Sequence, residues 1–379
     1  MIVKMSRMRG LMVAASWLLM SIVVAGCAGP DKPKPTELAP NVALIGVRQA
    51  WSNSIGSISF PMEMRVVGDQ IFLASSNGSL VAIDTRTGGD IWRLQLNSAL
   101  AAGVGSDGKF VAVVGRENEL IVVDAGGELW RQKLGAVTLT SPLVAGARVF
   151  TLSSDRSVAA FDAASGRKLW QQQRPADALV LGQSGVLFAY GDTLVVGLGG
   201  RLVGLNPQNG NVRWDVAVAN SRGTNEVERL VDLVAGVSRD GDGACLRAFQ
   251  TSVGCINLAR GTGVWSKPAN GSTGLAGNQT IIIGTEGDGS VISWRRSDGE
   301  RLWMSERLRF RGLTTPMLAG RSVVVGDDTG FVHFLSQEDG APLNRMATDG
   351  SAIVDAPVLS GQTLIVATRR GGIFGFRPE

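Results

Sequence analysis

The chain has very little of what most catalytic centres are built from. It holds a single histidine and three cysteines in 379 residues. Ser/His/Asp spacings and metal-ligand spacings are absent, which leaves no recognisable nucleophilic or metal chemistry. The lone His333 stands in Gly330-Phe-Val-His-Phe-Leu335, where a histidine among apolar neighbours is a packed strand residue. Helical periodicity is nearly missing as well; apolar residues alternate instead of recurring three and four apart. An excess of one charge is also lacking. The formal charge is +4, and the three basic residues of the N-terminal head (Lys4, Arg7, Arg9) reduce it to +1 for the remainder. A near-neutral body excludes a nucleic-acid footprint. Only one long apolar run exists, Leu11 to Ala25, and it is too short and wrongly flanked for a membrane span.

That run follows a basic head and leads into small residues, the pattern of a secretory signal over residues 1–26. It ends in Val24-Ala25-Gly26-Cys27, which resembles the lipobox of bacterial lipoproteins. The resemblance implies an acylated Cys27 as the new N-terminus, and several acyl chains anchor stably where one does not. Ala28 rather than Asp follows, which in such lipoproteins implies sorting to the outer membrane with the body on the periplasmic side. Residues 27–48, with Pro30, Pro33, Pro35 and Pro40, form the expected semi-extended tether.

From residue 49 to 379 a repeat dominates. Its clearest part is Asp84-Thr-Arg-Thr-Gly88-Gly-Asp-Ile-Trp92, returning as Asp162 to Trp170, Asn206 to Trp214, Asn257 to Trp265 and Arg295 to Trp303. Shortened or worn copies run from Asp124 to Trp130 and from Ser336 to Asn344. Asp or Asn opens such a turn through its side chain, and Gly closes it with a positive φ. A hairpin precedes each turn, as in Gly68 to Asp84 with Asn77-Gly78 at its tip. Further hairpins begin at Gly108, Gly146, Gly191, Gly243, Gly277, Gly320 and Gly361. With a leading strand such as Ser141-Pro142-Leu143-Val144, each unit has four strands and about 40 residues, the signature of a propeller blade. The last hairpin ends at the C-terminus without a Trp strand, while an orphan Trp strand surrounds Trp51. The expectation is an all-β, eight-bladed propeller of four-stranded antiparallel blades, closed by pairing of N- and C-terminal strands. Closure leaves no open circumferential edge. Trp51, Trp92, Trp130, Trp170, Trp214, Trp265 and Trp303 then read as packing between blades, one for each, rather than as a ligand ring.

Cys245 and Cys255 lie on two arms of one hairpin. Their even separation puts them out of register across a two-residue turn, so two buried free thiols are favoured; a bridge requires an odd loop or a bulge. The Arg-rich stretch Arg295, Arg296, Arg301, Arg307, Arg309 and Arg311 reads as a solvated edge.

Tandem Asp/Asn-x-x-x-Gly-x-x-x-Trp copies resemble the repeats of quinoprotein-like propellers. Two groups carry them: pyrroloquinoline-quinone dehydrogenases, and the BamB lipoproteins of the outer-membrane β-barrel assembly machine. Lipobox, Pro-rich tether and eight bare blades together resemble the BamB family. That resemblance implies a non-enzymatic scaffold without cofactor or metal, docked on the POTRA domains of BamA. Through BamA it would touch other assembly-machine subunits and assist nascent outer-membrane proteins. The alternative is a periplasmic quinoprotein oxidoreductase; such enzymes hold calcium in a carboxylate and amide cluster, and many have adjacent cysteines, which Cys245 and Cys255 are not.

Binding belongs in the irregular parts of a repeat. From Trp to the next hairpin Gly the chain takes 16 residues after Trp92 and Trp130, but 21 after Trp170 and 29 after Trp214. These two long connections serve neighbouring blades and should emerge on one face. One contains Ala178-Leu179-Val180-Leu181-Gly182-Gln183, the other Asn225-Glu226-Val227-Glu228-Arg229-Leu230-Val231-Asp232. Apolar anchors with a charged rim fit a protein interface. By the family resemblance, Leu179 and Leu181 match a leucine pair, and Gly182 stands where Arg is expected. Glu228-Arg229-Leu230 matches Asp-Arg-Leu, Asp232 matches a first acidic contact, and Val234 stands where a second is expected.

Overall fold

Alternating strands and tight turns leave each repeat one way to satisfy its backbone, an up-and-down sheet. The computed structural model describes residues 33–175, 180–219 and 230–379. Thr36–Glu379 forms one compact unit. Its strands make eight four-stranded antiparallel sheets. Blade 1 is β2 (Arg65–Val67), β3 (Gln70–Ala74), β4 (Ser79–Asp84) and β5 (Asp90–Gln95). Blades 2 to 7 follow in order over residues 100–133, 143–173, 187–217, 233–268, 275–305 and 317–347. Blade 8 joins β30 (Val358–Ser360), β31 (Thr363–Ala367) and β32 (Gly372–Pro378) to β1 (Val47–Ser54) from the other end of the chain. Val47 faces Pro378 and Ser54 faces Gly372, so the ring is closed by strand hydrogen bonds.

The core lies between blades. Middle strands such as Val111–Gly115 are buried throughout, while outer strands such as Asp90–Gln95 are largely exposed. Phe72 and Leu80 of blade 1 pack with Val111, Val113 and Ile121 of blade 2. Each blade thus completes its neighbour's core, the energetic logic of stacked repeats.

Every outer strand carries a bulge just before the Trp position. The register slips between Ile83 and Ala82 opposite Asp90 and Trp92, and the same slip recurs opposite Trp130, Trp170, Trp214, Trp265, Trp303, Asn344 and Trp51. A bulge bends and twists its strand locally. Here it precedes an indole that reaches the next blade. Five indoles donate to a carbonyl of the following blade's turn: Trp51 to Thr85, Trp130 to Ala163, Trp170 to Pro207, Trp265 to Arg296 and Trp303 to Gln337, at 2.8–3.0 Å. The ring lies against the turn glycine; a Cβ on Gly166, which has φ +71°, would sit 2.6 Å from Trp130. Trp92 packs on Phe72, 6.0 Å between centroids, in the cluster that joins blades 1 and 2.

Three expectations change. Cys245 and Cys255 form a disulfide, with Cα atoms 4.0 Å apart. The hairpin turns through Phe249, Gln250 and Thr251 between the paired Ala248 and Ser252, an odd loop that puts the cysteines directly opposite each other. The Arg-rich stretch is not all solvated. Arg296 is 9 % exposed and bonds to Ser238 and Gly243 of blade 5, and Arg311 is 6 % exposed against Asp327. Both guanidiniums find fixed oxygens on a neighbouring element, which position in sequence does not reveal. Finally, the lead is not free up to residue 48: Thr36 donates to the Arg309 carbonyl, Leu44 to that of Leu343, and β1 begins at Val47.

Candidate docking face

The two long connections meet. Leu181 donates its backbone N–H to the Asp232 carboxylate at 3.0 Å, and Gly185 bridges Val234 in an antiparallel pair. Ala235 donates to the Ser184 carbonyl and Leu233 to that of Gly199. Both segments therefore lie on the face that carries the central hairpin turns of blades 3 and 4. They border a recess lined by Leu139, Leu152, Arg156, Val180, Leu181 and Asp232. Leu181 is half-buried and Val180 is 37 % exposed, whereas Val231 and Leu233 turn inward. Apolar tips thus flank a carboxylate in a shallow hollow, which suits a protein partner better than a small substrate.

Of the residues singled out from sequence, Leu181 and Asp232 come together here. Leu179, Glu228 and Arg229, like Cys27, lie outside the described residues. Val234 is 2 % exposed in the core, so the place of a second acidic contact is taken by packing. Asp232 is half-buried and already holds Leu181, which makes it an organiser of the face as well as part of its surface. Nearby, Arg156 donates to the Pro175 carbonyl, and Arg174 and Arg201 share Asp215 at 2.7 and 2.6 Å.

The recess continues toward the propeller axis, where two acids went unread in the sequence. Ser184 donates to Glu63, which belongs to the segment leading into blade 1, and Gln183 donates to the Ser272 carbonyl at 3.2 Å. Asp355, leading into blade 8, accepts from the Met64 amide at 2.8 Å. Burial pushes the Asp355 carboxyl up to about 7; the Met64 hydrogen bond opposes the shift and the nearby Glu63 charge adds to it. Glu63 is also raised, chiefly by burial, with Ser184 and Arg65 pulling it back. A signal existed: Asp355 stands two residues before Pro357, where Thr140 and Thr314 precede Pro142 and Pro316.

His333 is 4 % exposed, and its Nε2 lies 2.9 Å from Asp327 Oδ2. Asp327 also accepts from Arg311, Thr329 and the Phe331 amide. Its carboxyl is held well below the usual range: burial works against this, and His333, Phe331 and Arg311 outweigh it. The pair therefore belongs to a structural network. Among the described residues no three His, Cys, Asp or Glu side chains converge as a metal site.

A family model described as outer membrane protein assembly factor BamB matches residues 76–305. The BamB of Burkholderia pseudomallei is 38% identical over 365 residues, covering 94% of this chain and 96% of that protein. The BamB of Bordetella pertussis is 34% identical over 370 residues, covering 96% of each. Among solved structures, BamB from Moraxella catarrhalis superposes with a TM-score of 0.80 at 22% identity, covering 87% of this chain and 99% of that one. A quinohemoprotein alcohol dehydrogenase from Comamonas testosteroni reaches 0.67 at 15% identity, covering 90% and 78%, a likeness of fold alone. The chain belongs to the BamB family of outer membrane protein assembly factors.

Proposed function

We propose that this chain is a non-enzymatic scaffold of the outer-membrane β-barrel assembly machine, docking through the face of blades 3 to 5 onto the POTRA domains of BamA. In this reading Cys27 is acylated and holds the propeller at the periplasmic side of the outer membrane. Nascent outer-membrane proteins are assisted by what the scaffold positions rather than by chemistry it performs. Membership in the BamB family supports assembly as the role. The observation that carries the site is the Leu181–Asp232 hydrogen bond, which gathers two oversized loops into one apolar-centred, charge-rimmed face. The quinoprotein alternative gains no support from the described residues, and its relatives share only the fold.

The test is co-purification with BamA from intact envelopes. Leu181→Asp places a carboxylate in the apolar centre of the face and should reduce recovery of BamA at least tenfold, with the far-UV spectrum unchanged. Leu179→Ala with Arg229→Ala should weaken recovery further. Undiminished recovery from a folded Leu181→Asp protein would remove the site.

A further inference from the structure

Six blade-to-blade seams carry an indole onto the turn of the next blade, and at the seventh Trp92 packs in the cluster that joins blades 1 and 2. The seam between blades 7 and 8 lacks both parts. Asn344 stands in the Trp position, and β32 pairs with β1 from the far end of the chain, so no turn joins the third and fourth strands of blade 8. Left unfilled, this seam would expose the apolar residues that join the two blades.

The lead occupies it. Asn344 donates its side-chain amide to the Ile45 carbonyl at 2.7 Å, as the indoles elsewhere donate to a turn carbonyl. Leu44 donates to Leu343 at 2.7 Å, and Asn41 donates to Asn344 Oδ1 and to the Arg345 carbonyl. Ile45 and Val47 pack on the cluster of Val324, Phe334 and Phe376 that joins the two blades. Farther out, Leu38 packs against Leu308 and Leu335. At its outer end Thr36 is gripped twice: its N–H donates to the Arg309 carbonyl, and its carbonyl accepts from Arg311 at 3.1 Å. Arg311 is itself held by the buried Asp327 and by Thr329, so this end of the segment rests on a rigid network.

We infer that residues 36–46 are a strap that replaces the missing Trp-and-turn lock and fixes the point at which the lead leaves the ring. The strap contributes a backbone carbonyl, apolar side chains and a strand-like edge contact, the three things a turn supplies at the other seams. Its second consequence rests on the proposed acylation of Cys27. Nine residues separate Cys27 from Thr36, so an extended lead spans at most about 30 Å. A lead free up to residue 47 would span about 70 Å. The strap therefore limits how far blade 7 can stand from the lipid surface.

Amide hydrogen exchange on the full mature chain tests the lock without reference to the anchor. In the parent protein the amides of residues 36 and 44 should be protected. Leu38→Ser combined with Asn41→Ala should speed exchange across residues 36–46, and by about tenfold in 342–347 and 372–378, the loss expected from a packing anchor and two hydrogen bonds. Exchange in 168–173, at a seam with its own indole, should not change. Asn41→Ala alone provides a milder variant with the same pattern at smaller amplitude. Exchange of the parent strap at free-peptide rates would overturn the proposal, as would acceleration confined to 36–46 with 342–347 unmoved.

Discussion

The seam between blades 2 and 3 and the seam between blades 7 and 8 solve one problem with different materials. In the first, the Trp130 ring seats on Gly166 and donates to Ala163 at 2.8 Å. All of its parts lie within about one repeat of chain. In the second, a short amide, Asn344, reaches a carbonyl 299 residues away, and the apolar filling comes from the lead. The lesson is that a propeller seam needs a donor, an acceptor and buried apolar area, but not a particular residue to supply them. A local lock forms with its own blade, whereas a distant one must wait until the ring closes.

Four substitutions sharpen this contrast. Arg311→Ala, at the outer end of the strap, should have the largest effect. It leaves Asp327, fully buried, without its guanidinium, a loss of about 3–5 kcal/mol in chemical denaturation. Arg309→Ala removes an exposed ion pair and should cost less than about 1 kcal/mol. Next, Trp130→Ala should cost about 3–4 kcal/mol, since it removes a large seam ring and orphans a carbonyl. Asn344→Ala should cost nearer 1–2 kcal/mol, because the strap's apolar contacts remain. Equal losses at the two positions would mean that the strap contributes little beyond the Asn344 hydrogen bond.

A change of opposite sign, stabilising and dependent on pH, concerns the axis, where blades 8 and 1 meet. Asp355 has a folded pKa of about 7, above its ordinary 3.8, so the folded protein binds this proton more tightly than the unfolded chain. The cost of the charge is therefore absent below about pH 4 and grows as pH rises to 7. Asp355→Asn keeps the acceptor for Met64 and should stabilise the protein by roughly 2 kcal/mol at pH 8, with no gain at pH 4. Thermal melting across that range measures the difference; a gain independent of pH would show that the Asp355 charge is not its source. Asp327 has the opposite sign. Its lowered pKa contributes stability throughout the neutral range, lost only under strongly acid conditions.

Much of the fold was legible because the signals are local. Turn residue, glycine and indole recur at one spacing, and the unmatched Trp51 strand at one end answers the unmatched hairpin at the other. The bulge beside each indole was not legible, since its residues differ from blade to blade. The disulfide depended on whether a loop had two residues or three, which the Phe249–Thr251 turn decided. For the candidate face, loop length indicated the region, and the apolar content of residues 180–181 was visible. That Asp232 binds the Leu181 amide was not, since the contact joins residues 51 apart through the packing of two blades.

Blade number, strand order and circular closure were contained in the linear order of the chain, because each can be read from a repeat of about 40 residues and from the unmatched strands at its two ends. Which arginines are buried, which acids face the axis, and that the lead is a strap emerged only from the assembled ring. Those properties depend on what a neighbouring blade presents, and the neighbour across the closing seam lies at the far end of the chain.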